Sequence, residues 1–165
     1  MSTTTVTHRR FTHTPTTLTL LWLTVSLPLV LWDAGYVLGR PHTMPGGKWH
    51  APLWTPYELY GRTDYVYGMA GSQPGEGFNG AQTVMNLVET ALYVAYLATV
   101  WPYGLFQGRR VAGAQAGKAV LLGYSAAVMT VAKTLLYWAN EYFSGFKNIG
   151  HNEAWDLFWL WIVPK

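Results

Sequence analysis

Three apolar stretches of this chain, Thr17 to Leu38, Ala81 to Leu105 and Lys118 to Trp138, are long enough to cross a bilayer, and each encloses an ionisable residue. These residues are Asp33, Glu89 and Lys133. A charge held at mid-bilayer depth costs about 2.5–3.5 kcal/mol on insertion scales. A fold that keeps three of them needs a use for each, or a partner for each. The pattern therefore limits the architecture to helices that hide these side chains from lipid, and it marks the three residues as candidates for function.

Composition agrees with a membrane class. Half of the residues are apolar and only 12% are charged, against about 25% in ordinary soluble domains. The net charge of +3 is small and scattered, which argues against a nucleic-acid partner. The chain has no cysteine, which excludes disulfides, metal thiolates and a thiol nucleophile. Its five histidines show no metal-like pair spacing, and its glycines form no phosphate-cradling motif. Neither a metal nor a cofactor is implied.

The expected organisation is an all-α, polytopic transmembrane bundle with three full spans and a truncated or interfacial fourth. Residues 1–16, rich in Thr and His, read as a disordered tail ahead of a transmembrane domain over 17–165. Thr17 to Leu38 makes a helix of about 33 Å, which Pro28 should kink. A cleavable signal peptide is the alternative for this run, but the run is long and no small-x-small site follows it. Residues 39–79 hold five prolines and six Trp or Tyr residues between Trp49 and Tyr67. This composition predicts a loop at the membrane interface, with a short helix within Tyr57 to Tyr67. Its charges, Arg40, Lys48 and Arg62 against Glu58, Asp64 and Glu76, read as offsetting one another. Ala154 to Pro164 is too short to span, and is either interfacial or the start of a fourth span. Arg9 and Arg10 flank the first span, and Arg109, Arg110 and Lys118 lie between the second and third. In an up-down topology these basic groups share one side, which predicts a cytoplasmic N-terminus.

Within the second span Gln82, Asn86, Glu89, Tyr93 and Tyr96 follow at spacings of 4, 3, 4 and 3, which places them on one helical face. Thr130, Lys133 or Thr134, Tyr137 and Glu141 form a similar stripe on the third, and Asp33 and Tyr36 on the first. Facing stripes would enclose an intramembrane cavity with a carboxylate, an ammonium and several phenols. The plainer alternative is polar glue between helices, at about 0.6 kcal/mol per hydrogen bond. Glu141 reads as near the membrane surface and solvated.

Four segments carry a resemblance. They are WTPYELYGRTDYVY (Trp54–Tyr67), FNGAQTVMNLVETALYVAY (Phe78–Tyr96), TLLYWANEYFSGFKNIG (Thr134–Gly150) and AWDLFWLWIVP (Ala154–Pro164). In order and spacing the chain resembles the EXPERA domain of the emopamil-binding protein, or sterol Δ8–Δ7 isomerase, group, with the fungal-type members most alike. The resemblance implies a helical bundle in the endoplasmic reticulum membrane with a cavity for a sterol or a similar rigid amphiphile among membrane lipid. In the isomerase an acid protonates a ring double bond and a base removes a neighbouring proton, without a cofactor. Glu89 then resembles the family's second-helix glutamate and Asp33 its first-helix acid, making these two the catalytic candidates. Asn86, Tyr93, Lys133, Tyr137 and Glu141 are the substrate-binding candidates. Leu29 stands where the isomerase has histidine, and Thr134 where it has aspartate. The family's last-helix asparagine falls at Lys165, so the chain reads as short at its C-terminus. A non-catalytic sterol-, lipid- or partner-binding protein on the same fold is the alternative, and carbocation chemistry on a polyprenyl substrate a further one. A homodimer is compatible with either.

Overall fold

The computed structural model describes residues 10–103 and 110–164, with Tyr103 through its backbone only. Residues 1–9, the expected end of the second span at Leu105, Arg109 and Lys165 lie outside the described residues. The fold is helical and contains three helices long and apolar enough to cross a membrane. They are α1 (Thr17–Leu38), α3 (Phe78–Val100) and α4 (Ala114–Phe143), and a short α2 (Pro56–Thr63) lies in the long connection. A final helical segment, α5 (Ala154–Leu157), continues through a π-helical turn at Phe158–Ile162, so no fourth span is seen among the described residues.

Local chemistry sets the boundaries. Thr16 caps α1 by accepting the Thr19 backbone N–H at 3.0 Å. Pro28 lies inside α1 without ending it. Gly39 closes the helix, and a Cβ there would come within 2.5 Å of the Thr43 methyl, so the tight exit needs glycine. The second span ends at Val100, earlier than its apolar run, and tightens into a 3-10 turn over Trp101–Tyr103, where Pro102 has no N–H to continue the α-helical ladder. At thirty residues α4 is about 45 Å long and overshoots the hydrocarbon core of roughly 30 Å.

The helix α3 packs against both α1 and α4, and no comparable packing joins α1 to α4 directly. Close approach of α3 and α4 comes from small residues. Ala116, Ala119 and Ala126 are fully buried, and the Tyr96 ring lies where a Cβ on Gly123 would meet it at 3.2 Å. Small residues at such spacing let transmembrane helices approach closely. Leu18, Leu21, Val84, Val88 and Val131 face outward, as lipid contact requires.

Two features differ from the sequence expectation. Residues 10–16, assigned to a tail, contain β1 (Thr12–His13), which pairs antiparallel with β2 (Val111–Ala112). This small clasp departs from an all-α chain, and it fixes the N-terminal segment and the α3–α4 connection at the same end of the bundle. His13 Nε2 lies 3.0 Å from the Tyr96 hydroxyl beneath it. The second difference is the long connection, where Tyr57 and Tyr67 turn inward while Trp49 and Tyr65 stay exposed. Tyr57 and Tyr67 are buried, and Tyr57 stacks on Tyr36 of α1 at a centroid distance of 4.0 Å. Arg40 donates to the Val66, Tyr67 and Gly71 carbonyls at 3.2–3.3 Å, so it is a strut and not a surface charge. Asp64 is fully buried. It accepts Tyr137 Oη at 2.6 Å, Trp161 Nε1 at 2.9 Å and the Val66 N–H at 3.0 Å. One carboxylate thus ties the connection, α4 and the C-terminal segment into a cap over one end of the bundle.

Asp64→Ala would remove the acceptor of three buried donors and is expected to destabilise the protein by about 3 kcal/mol or more. Asp64→Asn, which keeps one carbonyl oxygen, should cost less. Thermal unfolding in detergent compares them. The clasp should respond to pH. Burial holds the His13 imidazole below its ordinary value of 6.5, so the unfolded segment binds the proton more readily. Its contribution is then present above pH 6.5 and lost as the pH falls below that value. Hydrogen exchange at the β1 and β2 amides, corrected for the intrinsic rate, should rise on acidification in the wild type and not in His13→Gln.

Candidate functional site

Because α1 and α4 meet chiefly through α3, a cleft remains between them, and the polar stripes converge there. One chamber, of about 340 Å³, is lined by Gln82, Asn86, Glu89 and Tyr93 of α3 and by Thr130, Lys133, Thr134 and Tyr137 of α4. Apolar residues of α1, among them Val25, Leu29 and Val30, close its third side. A second chamber, of about 540 Å³, lies between α1, α2 and the C-terminal segment, and Asp33, Tyr57, Tyr60 and Tyr67 line it with Leu59 and Trp159. The chambers share Leu29, Val30, Tyr67 and Pro164, and so adjoin.

Lys133 and Glu89 meet in the first chamber. Lys133 Nζ lies 2.7 Å from Glu89 Oε2, and both side chains are mostly buried, at 14% and 10% exposure. The contact is close but poorly directed, because Oε2 accepts no hydrogen bond. The hydrogen bond from the ammonium goes to Asn86 Oδ1. Gln82 Nε2 donates to the Lys133 carbonyl at 3.1 Å and braces α3 against α4 one turn away. Thr130 donates its hydroxyl to the Ala126 carbonyl at 3.1 Å, so the Tyr93 hydroxyl, 3.2 Å from Thr130 Oγ1, is the donor of that pair.

Asp33 stands in the second chamber and accepts Tyr57 Oη at 2.7 Å and Tyr67 Oη at 3.3 Å. Burial and then the field of Asp33 push the Tyr57 and Tyr67 phenols well above their ordinary value. Burial, then Asp64 and Asp33, do the same to Tyr60. All three stay protonated, and Tyr57 and Tyr67 act as donors to the carboxylate. The chambers therefore differ in chemistry: one holds a neutralised ion pair, the other a carboxylate held by phenols. Among the described residues no cluster of three or more His, Asp or Glu side chains is arranged to hold a metal ion.

Of the residues singled out from sequence, Glu89, Asn86, Tyr93, Lys133 and Tyr137 share the first chamber, and Asp33 lines the second. Tyr96 sits lower, under the clasp. Glu141 is elsewhere. It is 1% exposed and not solvated, and its Oε1 accepts Asn148 Nδ2 at 2.7 Å and Asn140 Nδ2 at 3.2 Å. It anchors the turn after α4, at a distance along the helix from the cleft, so it lines neither chamber. Sequence reasoning missed Asp64, Tyr57, Tyr67 and Trp161. The one available signal was a lone aspartate inside the aromatic run Tyr57–Tyr67, read there as a loop charge.

Removing one partner of the buried pair strands the other. Lys133→Leu alone is expected to cost about 3–5 kcal/mol, whereas Glu89→Leu with Lys133→Leu should recover most of the loss. Thermal unfolding of the two single variants and the double variant in detergent measures the coupling. No protein-family model, curated protein or solved structure matches this chain.

Proposed function

We propose that this multi-pass membrane protein binds a rigid, largely apolar amphiphile of the sterol class in the cleft between α1, α3 and α4, as its resemblance to the sterol isomerase-like group implies. The two adjoining chambers fall in the usual volume range of small-molecule sites, and a few convergent polar groups stand in mostly apolar walls. An endoplasmic reticulum location with a cytoplasmic N-terminus belongs to the same reading.

The observation that supports binding over isomerisation is the ion pair. A proton donor needs a carboxyl oxygen free to reach the substrate. Glu89 Oε2 lies 2.7 Å from the Lys133 ammonium and is sealed off from the chamber, so that oxygen is not free to reach a substrate. Leu29, where the isomerase has histidine, lines both chambers and supplies no base. The reading favoured is therefore sterol binding without turnover. Isomerisation remains the second reading because Asp33, with two phenol donors at its carboxylate, offers another proton-handling centre.

A photoactivatable sterol probe should label α1, α3 or α4 of the reconstituted protein saturably, and labelling confined to other segments would sink the assignment of the cleft. In a strain lacking sterol isomerase, well-expressed wild type and Glu89→Gln are both expected to fail to restore growth. Rescue by the wild type would establish the enzyme instead.

A further inference from the structure

The buried pair has unused hydrogen-bonding capacity. An ammonium carries three N–H donors. Among the described residues Lys133 contacts two acceptors, Asn86 Oδ1 and, with poor direction, Glu89 Oε2, so at least one N–H has no protein acceptor. Glu89 Oε1 accepts no hydrogen bond among the described residues and, unlike Oε2, is not sealed off from the chamber that the carboxylate lines. A donor and an acceptor thus stand side by side on one wall. Around them the chamber is largely apolar, with Val25, Leu29, Val30 and Val163 opposite the polar stripe.

We infer that the Glu89–Lys133 pair is a recognition site for a single hydroxyl group, and that the ligand is an uncharged amphiphile whose polar head is an alcohol. This rests on the cleft being the binding site. A hydroxyl gives one proton and accepts through its lone pairs, so it can donate to Glu89 Oε1 while accepting from Lys133 Nζ. An ether can only accept, and it leaves the carboxylate oxygen unmet. A hydrogen at the same carbon leaves both groups unmet. Charged heads fit worse, because the pair is neutral as a unit. An ammonium head would lie against Lys133, and a sulfate or carboxylate head against Glu89, in a setting with little water to screen the repulsion. Lys133 is on this view the specificity-determining residue of the chamber. It turns a bare carboxylate, which would favour cations, into a donor–acceptor couple that selects an alcohol.

The test uses the full chain in lipid nanodiscs and a sterol probe with a diazirine on its side chain. Unlabelled sterols that differ only at the head carbon compete for labelling: hydroxyl, methyl ether, hydrogen, ammonium and sulfate. The hydroxyl compound is expected to compete roughly tenfold to a hundredfold better than the ether and the deoxy compound. The ammonium and sulfate compounds should do no better than the deoxy compound. In Glu89→Leu with Lys133→Leu, labelling should persist while the preference for hydroxyl disappears. A polyprenol of matching length separates a rigid from a flexible alcohol, and competition by either supports the hydroxyl assignment. Equal competition by all five head groups in the wild type, or better competition by a charged one, overturns the inference and leaves sterol binding standing. If the probe labels nothing saturably, sterol binding in the cleft falls, and this inference falls with it. The head-group series is read on the wild type, so it stands even if the double variant does not fold.

Discussion

Asp64 holds together parts of the chain that have no other strong reason to meet. The connection between α1 and α3 is rich in proline and glycine, and the segment after α5 is short and irregular. Their helical pieces are short, and none is long enough to bury a full face on the bundle. A fully buried carboxylate solves this by collecting a phenol from α4, an indole N–H from the C-terminal segment and a backbone N–H from its own loop. Such charge-assisted bonds are about twice as strong as neutral ones, and inside a low-dielectric cap they gain further. The aromatic stack of Tyr36, Tyr57 and Tyr67 then packs beneath, and Arg40 meets the loop carbonyls that the stack leaves exposed.

The cap fixes the cleft. Tyr67 and Tyr137 belong to the cap and also line the chambers, and Pro164 forms part of the wall the chambers share. The other walls are helices that diverge because α3 is packed tightly on both sides while α1 and α4 are not packed on each other. The small residues of α4 let Tyr96 and α3 come close at the clasp end. Farther toward the cap, larger polar side chains occupy the α3–α4 seam and the chamber opens beside them.

Three acids, Glu89, Asp33 and Asp64, meet three different environments despite their shared type. Glu89 is neutralised by a lysine, Asp33 is held by phenols that stay protonated, and Asp64 is consumed by structure. A pair of opposite charges in a membrane interior is less costly than either charge alone, which explains how α3 and α4 each tolerate one. The same pairing holds one oxygen of the Glu89 carboxylate against Lys133 and away from the chamber.

Periodicity and composition alone determined the helical membrane class, the three spans and the polar face of α3. These depend on apolar length and on a 3.6-residue repeat, which are local properties of the chain. They also placed Gln82, Asn86, Glu89 and Tyr93 together, and Lys133 with Tyr137 on α4. Partners were not legible. Whether Lys133 met Asp33 or Glu89 depended on the rotation of α4 about its axis, which the small residues against Tyr96 help to set. Glu141 shares the helical stripe of Lys133 and Tyr137, yet α4 outruns the bilayer and carries it past the cleft into the turn it anchors. Asp64 looked like any loop charge, because irregular backbone has no period from which burial can be read. Only the tertiary structure decided that this aspartate lies inside and that Glu89 faces an ammonium, since both outcomes depend on contacts between residues tens of positions apart.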